Sequence, residues 1–178
     1  MSTGSAFPLF TPRSGGSGGG GGSIFLDFHE YGNAPIRETL SNYEVYTYES
    51  GLAQELYAYF KVPSTYSSGS QITLEILWFC SSSSGTGLIA SQSTLIRSET
   101  DAYTSTTNQR TSTNSAVTLG AGTVNEPQKV TLDLTDASGQ INSVGVSAGD
   151  LILVRVYRDT DTATGDIEFL YDAHEVVF

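Results

Sequence analysis

The stretch Ile72-Thr73-Leu74-Glu75-Ile76-Leu77-Trp78-Phe79-Cys80 decides the fold. Side chains of a strand alternate between its two faces, so Ile72, Leu74, Ile76, Trp78 and Cys80 form one apolar row. The row ends at residues 81–87, where four serines and two glycines cannot continue a strand. Trp78 reads as a core anchor, since a ring of that size is worth most where it leaves water completely.

Outward from this row the same period of two recurs. Ile24, Leu26 and Phe28 alternate with Asp27 and His29. Leu56, Ala58, Phe60 and Val62 oppose Tyr57, Tyr59 and Lys61, and Pro63 ends that run. Residues 88–97 read as a return strand. Val130, Leu132 and Leu134 then alternate with Thr131, Asp133 and Thr135, Ile152, Val154 and Val156 repeat the pattern, and residues 166–178 close the chain. Weaker segments lie at 43–48 and 116–119. The one stretch long enough for a helix, residues 39–56, is interrupted by Gly51 and crowded with Tyr, Thr and Val, which favour strand or loop. About eight or nine strands at this spacing predict an all-β fold, an antiparallel jelly-roll-like sandwich over residues 24–178.

Composition sets the outer limits on function. A chain of 178 residues with 38% hydrophobic residues can bury roughly two-thirds of its unfolded surface as one domain. Cys80 is the only cysteine, so neither an intrachain disulfide nor a CxxC pair can form, and it reads as a small buried apolar residue. A net charge of -11 with eight Lys and Arg leaves no basic surface to neutralise phosphates, which argues against nucleic acid and against anionic membranes as partners. No secretory signal or membrane-length apolar run is evident, and a soluble chain made in a cytoplasm is expected.

Residues 1–23 are a different material. An apolar hook, Phe7-Pro8-Leu9-Phe10, precedes a Gly/Ser run from Ser14 to Ser23 that cannot pack. About ten such residues span on the order of 17 Å, the reach of a flexible tether between a docking peptide and a folded body, with a frayed tail as the alternative. Phe7, Leu9 and Phe10 together offer on the order of 400 Å² of apolar surface. Phe7, Pro8, Leu9 and Phe10 are therefore the expected shell- or subunit-binding arm. Residues 97–122, dominated by Thr, Ser and Asn, are expected to be exposed and to carry interactions, with a soluble edge strand as the alternative.

Catalytic and metal motifs are thin. Gly145-Val146-Ser147-Ala148-Gly149 has the form of a nucleophile elbow, but the elbow needs a helix after the serine, and here a strand pattern follows. His29 and His174, beside Glu30 and Glu175, lack zinc spacing, and both are expected to be satisfied surface histidines. Asp159, Asp161 and Asp166 gather carboxylates on a turn without the spacing of a calcium loop. No cofactor, metal or catalytic residue is assigned. The ten tyrosines are more suggestive: Tyr43, Tyr46, Tyr48, Tyr57 and Tyr59 form either a subunit interface, the favoured reading, or an aromatic platform for a sugar.

Three pieces, YFKVPSTYSSGSQITLEILW, TLIRSETDAYTSTTNQRTSTN and AGDLILVRVYRDTDTATGDIEFL, resemble a β-sandwich module of tailed-phage virion proteins, over about two-thirds of the chain. The Phe-Lys-Val-Pro strand end and the Ala-Gly-Asp strand start carry the likeness, and neither carries a reaction. The resemblance implies a non-enzymatic virion structural protein, made in the host cytoplasm. Its first expectation is a capsid decoration or cement protein that docks on the major capsid protein as a homo-oligomer, trimer or dimer, and clamps neighbouring subunits. The alternative is a receptor- or glycan-binding module of a tail fibre or appendage.

Overall fold

Alternation becomes architecture in a computed structural model describing residues 22–40, 42–80, 86–97, 109–113, 117–118, 126–159 and 164–178. The strands are β1 (Ser23–Phe25), β2 (His29–Glu30), β3 (Ile36–Leu40), β4 (Tyr43–Tyr48) and β5 (Glu55–Lys61). Next come β6 (Thr73–Cys80), β7 (Thr86–Gly87), β8 (Ile89–Ile96), β9 (Gln109–Thr113) and β10 (Val117–Thr118). The last are β11 (Gln128–Asp133), β12 (Gln140–Ile141), β13 (Val144–Gly145), β14 (Leu151–Arg158) and β15 (Ile167–Val177). The expected all-β sandwich is what forms, with no helix among the described residues.

One sheet has the order β11-β6-β15-β4-β3, with β1 alongside the far half of β15, and the other runs β2-β5-β14-β8-β9. All the pairings are antiparallel. Apart from the β8-β9 hairpin, successive long strands from β4 onward cross from one sheet to the other. The resulting orders β4-β15-β6-β11 and β5-β14-β8-β9 are those of a jelly roll. Strands β7 and β10 pair with each other, as do β12 and β13. The β12-β13 turn places Asn142 and Ser143 at positive φ, as a two-residue hairpin demands.

The two inner faces share one core. Ile72, Leu74, Ile76, Trp78 and Cys80 are all buried on one sheet, and Leu56, Ala58, Ile152, Val154 and Val156 on the other. Polar bolts cross between the sheets: the Tyr48 hydroxyl donates to the Val156 carbonyl at 3.1 Å, and Ser93 Oγ to the Leu134 carbonyl at 2.8 Å. Cys80 is buried, as its apolar reading required.

β3 is an element that periodicity does not reveal. Its residues are mostly exposed, so IRETL carries no inward row to find, and its pairing with β4 at the sheet edge makes it a strand. Residues 109–113 pair with β8 as the edge strand of the second sheet, the outcome given as the alternative for this Thr/Ser-rich stretch. Phe7, Pro8, Leu9 and Phe10 lie outside the described residues.

Candidate functional site

The outer face of the five-stranded sheet is built by the residues that alternate with its core row. Cross-strand register places Glu55 beside Tyr157, Tyr57 beside Arg155, Tyr59 beside Leu153, and Lys61 beside Leu151. On the next strand Gln92, Thr94 and Ile96 face Arg155, Leu153 and Leu151, and His29 of β2 sits opposite Tyr57. A core face and an aromatic face therefore come from the same two strands, one residue out of phase.

At the centre of this surface Arg155 forms an ion pair with Glu55, whose other carboxylate oxygen accepts from the Tyr57 hydroxyl at 2.6 Å. The guanidinium also lies over the Tyr157 ring, 4.5 Å from its centroid. Burial, followed by the bond to Glu55, pushes the Tyr57 phenol up to about 12, so it stays a neutral hydrogen-bonding group. Tyr31 stands edge-on to Tyr57 with centroids 6.4 Å apart and is 76% exposed. Tyr59 is 49% exposed.

At one end this face runs into an apolar groove of about 840 Å³, lined chiefly by Phe25, Leu26, Tyr59, Phe60, Val62 and Leu151. The volume lies within the range of small-ligand sites. The groove follows from topology. β2 covers the outer edge of β5 only at Leu56 and Tyr57, and β1 pairs with β15 in the other sheet. Along Ala58 to Lys61 no described strand takes up that edge, and residues of β1 and β5 line the groove there.

The tyrosines predicted as one interface separate. Tyr57 and Tyr59 lie on this face, and Tyr43 is exposed at the β3-β4 turn of the other sheet. Tyr46 and Tyr48 are core residues at 2% and 0% exposure, a correction to their expected surface role. The Phe28 and Val156 carbonyls accept their hydroxyls, which is what allows tyrosine to be buried. Tyr31 and Tyr157, by contrast, join the platform without having been singled out. Tyr157 could have been found from its two-residue spacing to Arg155 and Leu153, opposite the core row.

The motifs weighed for catalysis do not converge. Ser147 is exposed on a tight turn, its N–H donating to Asp150 Oδ2 at 2.8 Å, and strand β14 follows it. His29 is exposed, as expected, whereas His174 is completely buried, a correction to its expected surface position. The imidazole packs edge-on to Phe28 at 4.7 Å and places Nδ1 3.1 Å from the Tyr171 carbonyl, while Nε2 has no partner. Burial pulls its pKa down to about 4. Asp166 accepts from the Ser50 N–H at 2.8 Å. Among the described residues no three His, Cys, Asp or Glu side chains gather as a metal site would require.

No protein-family model matches the chain, and no curated protein does. Among solved structures it is similar to TmCBM61, a carbohydrate-binding module in complex with β-1,4-galactotriose, at 11% identity and a TM-score of 0.39. That likeness covers 90% of this chain and 88% of the other. A likeness this distant bears on neither the site nor its ligand.

Proposed function

We propose that this chain is a non-catalytic binding module that holds a carbohydrate chain against the outer face of its five-stranded sheet. The observation that carries this reading is the tyrosine surface: Tyr31 and Tyr59 project into solvent, flanking Tyr57 and the Arg155–Glu55 pair. An aromatic ring presents a partly negative face to the C–H groups of a sugar. The guanidinium, carboxylate and phenol beside it supply the donors and acceptors that sugar hydroxyls need. Within the virion setting that the resemblance implies, this is the surface of a tail appendage that meets host glycans, and shell decoration is the weaker reading.

The test is calorimetric titration of the full chain against a panel of host-surface polysaccharides and their oligosaccharides. Binding to at least one is expected, with Tyr59→Ala weakening it about tenfold, or about 1.4 kcal/mol. Binding that persists unchanged when Tyr31, Tyr57 and Tyr59 are all replaced by Ala would overturn the assignment. The virion setting is checked by copy number on purified particles, which should match an appendage and not a shell-covering protein.

A further inference from the structure

Three features meet at the groove. Its floor and walls are apolar, with Leu26, Phe60 and Val62 buried at the bottom and Phe25, Tyr59 and Leu151 exposed along the rim. One side is the edge of β5 from Ala58 to Lys61, against which no described strand pairs. And the described chain begins at the same place: Gly22 accepts from the Phe178 N–H at 3.1 Å, and Ile24, Phe25 and Leu26 themselves line the groove.

We propose that the groove is the docking site of the chain's own hook, Phe7-Pro8-Leu9-Phe10, which adds to β5 as an edge strand with apolar side chains in the groove. An open strand edge offers backbone N–H and C=O groups to an extended peptide, and flanking apolar pockets select its side chains. The hook matches on both counts. Phe7, Leu9 and Phe10 are apolar, and Pro8 is tolerated on an outermost strand, where its missing N–H faces solvent.

Thirteen residues, Thr11 to Ser23, separate the hook from Ile24 at the groove. A glycine-rich chain of that length spans roughly 20 Å, so the hook searches a small volume around its site. The resulting effective concentration is on the order of millimolar, which favours the hook's own groove over that of a second copy at ordinary protein concentrations. Docked there, the hook covers the Tyr59 end of the aromatic face and competes with anything bound at that end.

A nitroxide on Ser5→Cys of the full chain tests this by amide NMR, with native Cys80 buried away from the label. Selective broadening of Phe25, Tyr59, Phe60 and Lys61 is expected, unchanged on dilution and abolished by Leu9→Asp. Absent or uniform broadening overturns the docking, as does selective broadening that survives Leu9→Asp. Broadening that fades on dilution overturns docking within one chain in favour of exchange between copies. No glycan enters the experiment, so the result stands apart from the fate of the tyrosine platform.

Discussion

The two sheets present opposite outer faces to solvent although their inner faces share one core. On the β6 sheet the outward positions are Thr73, Glu75, Leu77 and Phe79 against Lys129, Thr131 and Asp133, with Glu38 and Thr47 joined by a 2.5 Å hydrogen bond. On the β5 sheet Tyr57, Tyr59, Tyr157, Leu151 and Leu153 surround the Arg155–Glu55 pair, with Lys61, Gln92 and Thr94 among them. Burial of an inner face is a common requirement of stability, whereas nothing in folding asks for exposed Tyr31, Tyr59 and Leu151. The contrast therefore separates residues kept for the fold from residues available for binding.

The largest effect should come from the shared core. Trp78→Ala should cost about 3 to 5 kcal/mol in denaturant unfolding, because it empties the largest buried side chain. A small loss would show that the two inner faces are not packed on one another as described.

Acid should act through His174 with nearly the same size. Its pKa in the fold, about 4, lies below the ordinary 6.5, so the unfolded chain takes up the proton first. Stability is then full above pH 6.5 and falls by about 3 kcal/mol as the pH drops to 4. Replacing His174 by Phe should remove that fall, read as the stability difference between the two proteins from pH 6.5 to 4, because Glu168 opposes it over part of that range. Glu168 works in the other direction. Burial, with Asp166 nearby, raises its pKa from 4.5 to about 8, so its contribution is full below pH 4.5 and lost as the pH rises to 8. Glu168→Gln should remove that loss, as thermal melts of the two proteins between pH 4.5 and 8 will show.

The comparison of faces is sharpened by paired substitutions. Tyr57→Ala and Tyr59→Ala should each weaken glycan binding by about 1 to 2 kcal/mol, and Thr131→Ala on the opposite face should leave it unchanged. Equal effects from both faces would dissolve the contrast. The smallest change is expected at Lys129→Ala, which breaks an exposed 2.9 Å pair with Glu75 and should shift stability by less than about 0.5 kcal/mol.

His174 shows where a sequence stops being readable. In β15 the inward residues are Ile167 and Phe169 at one end but His174 and Val176 at the other, so the phase flips. A register irregularity between Phe169 and His174 causes it: five positions of β15 pass two of β6, and these three extra residues leave no mark on the periodicity. Tyr46 and Tyr48 were unreadable for a related reason. Tyrosine suits either environment, and the carbonyls that accept their hydroxyls come from residues 18 and 108 positions away.

What the sequence determined by itself was the class of fold and most of its core, because a period of two obliges each strand to hide one row whatever its neighbours are. Trp78, Leu132 and Val154 could be placed inside on that ground alone. Only the tertiary structure decided which strands share a sheet, and with that everything about the candidate site. The tyrosine face needs β2, β5 and β14 side by side, and the groove needs β1 to leave for the other sheet just where β2 stops covering β5. Neither is a property of any local stretch, since strand pairing joins residues some hundred positions apart through backbone groups that every sequence carries.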